Sequence, residues 1–173
     1  MKVTYYRDGK EISADQLAGK SGKVKIRFDY TNNLKKTITV NGKSKQAYVP
    51  FTMITGMMLP NDNFSNVEVT NGKVVEASDS NVVVGITMPG LKDSLNISFD
   101  GKKADLDIPE YFEVSADVTD FSLDMTLSVA TSNLLTDANL DDINLNDLNS
   151  QINTLSDAGN QLADRATKPS DGS

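Results

Sequence analysis

Three groups of side chains have the types and spacing that chemistry asks for. Asp137, Asn139 and Asp141 follow the one-three-five spacing of a calcium loop. The sixth position is Asp142, where such a loop turns on glycine, and the twelfth is Leu148, where it needs a bidentate glutamate. Without both, the loop cannot close around the ion; capping and solvation account for these residues. Asp105 and Asp107 alternate with Leu106 and Ile108, and Glu110 and Glu113 follow. Paired carboxylates serve glycoside hydrolysis. Period two, however, sets Asp105 and Asp107 together on one solvated strand face, and nothing marks a cleft. The chain has no cysteine and no histidine, which removes thiol nucleophiles, histidine-dependent triads and the usual zinc and iron–sulfur ligand sets. The expectation is a non-enzymatic protein with no catalytic residue, no cofactor and no metal site.

The third group suits binding. Residues 50–60 run Pro-Phe-Thr-Met-Ile-Thr-Gly-Met-Met-Leu-Pro without a charge, and hold Phe51, Met53, Ile54, Met57, Met58 and Leu59. Methionines and aromatics make adaptable contacts, so an exposed patch of them is a partner surface. The same pattern also describes a strand crossing the core with its side chains inward. Proline at each end suits an edge strand or a loop.

Charge narrows the partners. The net charge of −7 hides an asymmetry: residues 1–50 carry eleven Lys or Arg against four acids, net +7, and residues 51–173 carry six against twenty, net −14. The overall acidity argues against nucleic acid. Lys20, Lys23, Lys25 and Arg27 interleave with Val24, Ile26 and Phe28, as on the solvated face of a strand. Contact of this basic face with phosphate or an anionic wall polymer is the alternative.

The elements that must position these groups change in kind near residue 132. Before it, apolar residues alternate with polar ones, most clearly at Phe121, Leu123, Met125, Leu127 and Val129. Strands are expected over 3–6, 10–12, 24–30, 37–40, 46–49, 67–75, 82–87, 95–99, 104–108, 111–118 and 121–129. Asp8-Gly9, Asn41-Gly42, Asn71-Gly72 and Asp100-Gly101 supply turns between them. Ser13 and Gln16 have capping-box spacing, which predicts one helical turn over 14–18. Short strands with turn signals at regular intervals predict a mainly β fold over residues 1–131, an antiparallel β-sandwich, Ig-like or related.

Residues 132–146 read as an Asp/Asn-rich linker, because these side chains compete with helical backbone bonding. Over 147–168 the apolar residues recur at 4-3-4-3-4 spacing: Leu148, Ile152, Leu155, Gly159, Leu162 and Ala166. That is the seam of a helix beginning a coiled coil, and about three heptads with a glycine are marginal alone, so the repeat is expected to continue beyond this chain. A single amphipathic helix packed on the β domain is the other reading. Residues 169–173 are expected to be a disordered tail. No apolar run reaches the ~20 residues of a membrane helix.

Within this frame Asn160-Gln161-Leu162-Ala163-Asp164-Arg165-Ala166 resembles one unit of the Leu-x-x-Gly heptad arrays of bacterial surface proteins. The domain before it is similar to their heads through Val3-Thr4-Tyr5-Tyr6, Gly9-Lys10-Glu11-Ile12 and Lys25-Ile26-Arg27-Phe28-Asp29-Tyr30-Thr31-Asn32-Asn33. Tyr48-Val49-Pro50-Phe51, Phe64-Ser65-Asn66-Val67 and Asp117-Val118-Thr119-Asp120-Phe121 continue the likeness. The family resembled is that of the membrane-anchored phage-infection-protein-like (YhgE/Pip) and related heptad-repeat proteins, over roughly residues 3–166. Ala158 and Arg165 depart from the array, standing where it would place glycine. The resemblance implies an exterior domain of a Gram-positive-type envelope protein, tethered to the membrane by segments outside this chain, and it carries over no catalytic residue. The functional expectation is an extracellular interaction and spacer head on a stalk that makes a homodimer, with a protein or cell-wall partner. An accessory head of a secretion or transport apparatus and a wall-polymer or carbohydrate-binding module are the alternatives.

Overall fold

The computed structural model describes residues 1–40, 42–95, 108–123 and 125–132. The chain divides into two units, Met1–Asp137 and Ala138–Ser173; the second lies wholly outside the described residues. The first unit is mainly β and its sheets are antiparallel. Its elements are β1 (Lys2–Arg7), β2 (Lys10–Ile12), α1 (Ala14–Leu17), β3 (Gly22–Asp29), β4 (Lys35–Val40) and β5 (Lys43–Tyr48). They continue with β6 (Thr52–Pro60), β7 (Phe64–Thr70), β8 (Gly72–Glu76), β9 (Ser80–Thr87), α2 (Leu91–Leu95), β10 (Tyr111–Val118) and β11 (Thr126–Thr131).

Three sheets result: β2-β1-β3-β10-β7, β11-β6-β9-β8, and the two-stranded β4-β5. Period two explains how the first two share a core. On β3, Val24, Ile26 and Phe28 turn inward, and on β10 Phe112, Val114 and Ala116 stand opposite them in register. From the second sheet Met57 and Leu59 of β6 and Val83 of β9 meet the same cluster, with Leu17 of α1 beneath. Ser13 caps α1, its hydroxyl accepting from the Gln16 N–H at 3.3 Å, as the capping-box spacing requires. The hairpin β1–β2 turns on Asp8 and Gly9, both at positive φ (50° and 79°). Such a turn matches the twist of its strands. At Asn71 (φ 61°) the chain leaves β7 in one sheet and enters β8 in the other; the turn expected there is thus a corner between layers.

Two expectations need correction. The alternation over 121–129 is not one strand: β11 begins only at Thr126, and Phe121 belongs to the core. Its backbone clips the loop after α1, donating to Lys20 O and accepting from Gly19 N–H. Its ring meets Tyr5 and Phe64 edge-on at 6.3 and 5.9 Å. Phe121 and Leu123 both pack at the shared core before β11 begins in the other sheet. Leu95, expected to open a strand, instead ends α2, a turn of helix that follows Pro89-Gly90. The hairpin expected about Asp100-Gly101 lies outside the described residues.

Candidate functional site

The outer face of the five-stranded sheet gathers the polar side chains that alternate with the core. Antiparallel register sets Lys25 between Tyr6 and Ser115, and Arg27 between Thr4 and Glu113. Glu68 stands beside Ser115 on β7. Tyr6, Gly9, Lys23, Lys25, Arg27, Glu68, Glu113 and Ser115 line a groove of about 600 Å³. Glu113 is its most enclosed charged group, with 16% of its side chain exposed; it takes Lys25 Nζ at 2.9 Å and Arg27 Nη1 at 3.5 Å. Arg27 also pairs with Asp29 at 3.0 Å and lies over the Tyr111 ring at 3.9 Å. The hydrogen bond to Asp29 leads the effects that raise the Arg27 pKa above its ordinary value; burial opposes it, and Asp29 and Glu113 add Coulombic support. Lys25 and Arg27, the cations at the centre of this face, are therefore already matched by carboxylates of the same chain. Such a surface is ordered and close to neutral, and it offers an incoming polyanion little unpaired charge.

The carboxylates singled out in the sequence are not gathered in this groove, apart from Glu113. Glu113 is held between two cations, Glu110 is exposed ahead of β10, and Asp105 and Asp107 lie outside the described residues. Among the described residues no group of three acidic side chains is placed to hold a metal ion. The calcium-like trio Asp137, Asn139 and Asp141 is outside them, as are the seam positions Leu148, Ile152, Leu155, Gly159, Leu162 and Ala166. One hydroxyl cluster joins the sheets: Tyr30 Oη bonds Thr55 Oγ1, and Ser128 Oγ lies 3.0 Å from the first and 3.1 Å from the second. With no imidazole in the sequence, this cluster has no histidine base to raise a nucleophile, and its contribution is to fix β11 against β6.

The apolar segment 50–60 is not a projecting surface. It is β6, paired to β11 on one side and β9 on the other. Met57 (2% exposed) and Leu59 (0%) lie in the core, which withdraws them from any partner. Phe51, Met53, Ile54 and Met58 are half-buried. On the other face of the strand, Ile54 and Met58 stand beside Ile86 and Val82 in register. The absence of charge thus reports a strand hydrophobic on both faces, the second of the two readings the sequence allowed.

A feature the hydrophobic pattern did not single out lies at Asn32. Its side chain is 5% exposed, donates to Val49 O at 2.8 Å and to Pro89 O at 3.2 Å, and accepts from Leu34 N–H at 2.9 Å. Tyr48 N–H adds a bond to Ser94 Oγ at 2.8 Å, and Val49 N–H one to Leu34 O. These bonds root the β4–β5 hairpin. Beyond the root, every described side chain from 33 to 46 is exposed. The signal in the sequence was a run of lysines within a hairpin that has no inward-facing partner. No family model, curated protein or solved structure matches the chain.

Proposed function

We propose that this chain is the non-enzymatic interaction and spacer head of a membrane-anchored bacterial surface protein of the phage-infection-protein-like (YhgE/Pip) kind. In this reading it is displayed on the outer face of a Gram-positive-type envelope by a coiled-coil stalk. The two sheets that share one core support the finer description of the head as an Ig-like or related β-sandwich. The observation that carries the proposal is the position of β11: it is the last described strand and the edge of its sheet, and it ends at Thr131, where the Asp/Asn-rich stretch that precedes the heptad-spaced residues begins. A chain leaving from an edge strand continues into a following element without breaking a ladder on either side. The mechanism is geometric. A rigid β head holds its contact surfaces, while paired helices with a seam at Leu148, Ile152, Leu155, Gly159, Leu162 and Ala166 fix their distance from the membrane and their number.

Sedimentation tests this directly. Protein carrying the heptads continued beyond Ser173 is expected to run as a dimer, and protein ending at Thr131 as a monomer. Asparagine at both Leu155 and Leu162 in the longer chain is expected to return it to monomer mass. Equal monomeric mass for all three removes the stalk mechanism.

A further inference from the structure

We infer that the β4–β5 hairpin is a docking arm for an anionic lipid surface. From Tyr30 to Asn61 the sequence contains no Asp or Glu, although the whole chain carries net charge −7, and this stretch holds Lys35, Lys36, Lys43 and Lys45. All four lysines are exposed. Register places Lys36 opposite Ala47 and Ile38 opposite Lys45, and Lys43 falls on the same face two positions along. This face therefore surrounds Ile38 with three ammonium groups, and Ile38 is 36% exposed. Leu34, at the root, is 65% exposed. The other face carries one lysine against three: Gln46 Nε2 donates to Thr37 Oγ1 at 3.1 Å, and Lys35 lies 4.5 Å from the centre of the Tyr48 ring.

The comparison with the five-stranded sheet decides what the arm suits. Lys25 and Arg27 there are paired with Glu113 and Asp29. Among the described residues no carboxylate pairs with Lys36, Lys43 or Lys45. Unpaired ammonium groups on an acidic protein call for an anionic partner, since like-charged surfaces elsewhere on the molecule repel that partner and leave this arm to meet it. A soluble polyanion would satisfy the lysines but give Ile38 and Leu34 nothing apolar to enter. A bilayer supplies both, with head-group charge for the ammonium groups and an interface for the aliphatic side chains. The root bonds of Asn32 and Tyr48 keep the arm presented, so little ordering is needed on contact. The proposal does not rest on the anchored-head reading, and the isolated chain tests it.

The experiment is co-sedimentation of the whole chain with phosphatidylcholine vesicles, with and without phosphatidylglycerol. Binding is expected only with phosphatidylglycerol, and it should fall as salt rises. Each of Lys36→Gln, Lys43→Gln and Lys45→Gln should weaken it about fivefold. Ile38→Ser should weaken it with the charge unchanged, whereas Lys25→Gln should leave it intact. The lysine variants are single changes at exposed positions, which the fold tolerates. Equal binding to both vesicles, or retention unaffected by the three lysine changes, overturns the proposal. So does full retention by Ile38→Ser together with complete competition by soluble polyphosphate, which would make the arm a polyanion site.

Discussion

At Gly85 a single added methyl group has no room. A Cβ there would lie 2.2 Å from Cγ and Cδ2 of Phe112, and one at Gly72 would lie 2.4 Å from Val84 O and 2.9 Å from Phe112 Cε2. The two glycines form a floor for the Phe112 ring, which is fully buried and stacked on Phe28 at 5.6 Å between centroids. The glycines in β8 and β9 thus mark the close approach of an aromatic from the facing sheet. Gly85→Ala must push Phe112 off its rotamer or spread the sheets, at a cost of about 1–3 kcal/mol or more. In urea unfolding the variant should show a lower midpoint with an unchanged slope. Pairing it with Phe112→Leu should recover part of the loss, since residues in contact couple. A Gly85→Ala midpoint equal to the parent's would mean that the sheets do not meet here as described.

Among elements, the β1–β2 hairpin at Asp8-Gly9 was the most legible, because positive φ at two successive residues leaves few alternatives. The cap of α1 was legible for a similar reason: one hydroxyl satisfies one orphan N–H at a fixed offset. The strands β3 and β10 followed from alternation alone. Where the chain changes sheets, alternation stopped being informative, since Phe121 and Leu127 are both half or fully buried yet serve different layers. The composition of 50–60 was ambiguous in the same way, because a strand flanked on both edges and apolar on both faces reads like a sticky loop as well. The root of β4–β5 was illegible because the hydrogen bonds of Asn32 reach Val49 and Pro89, distant in sequence; Asn32-Asn33 signals only that a strand stops. An element held this way should be sensitive to one amide. Asn32→Ala leaves two carbonyls and an N–H without their partner and should cost about 2–3 kcal/mol, using about 1 kcal/mol per bond. Asn32→Asp keeps the acceptor for Leu34 N–H but faces both carbonyls with a carboxylate, and it should do no better than alanine. Both are read as shifts in thermal midpoint. A neutral Asn32→Ala would show that the hairpin is seated by something other than this side chain.

For the head as a whole, stability should be distributed unevenly, and hydrogen exchange can map it. β3 is flanked by β1 and β10, and β6 and β9 lie inside their own sheet; all three send side chains into the shared core. Breaking one of their amide bonds requires separating strands that bury the largest apolar residues, so these amides should exchange only through global unfolding. The β4–β5 ladder is bonded only to itself, and its described side chains up to Gln46 are exposed. An isolated two-stranded ribbon is marginal in water, and here the tertiary bonds lie only at its root. Its amides beyond Lys36 should therefore exchange by local opening, at least about 100-fold faster than those of β3. Asn32→Ala should accelerate β4–β5 further and leave the ranking of β3, β6 and β9 unchanged. Bound anionic vesicles should slow the β4–β5 amides alone if the arm docks as inferred. Uniform protection across all of these strands in the free chain would mean that the hairpin is covered in solution, and the exposed arm would no longer be available for a membrane.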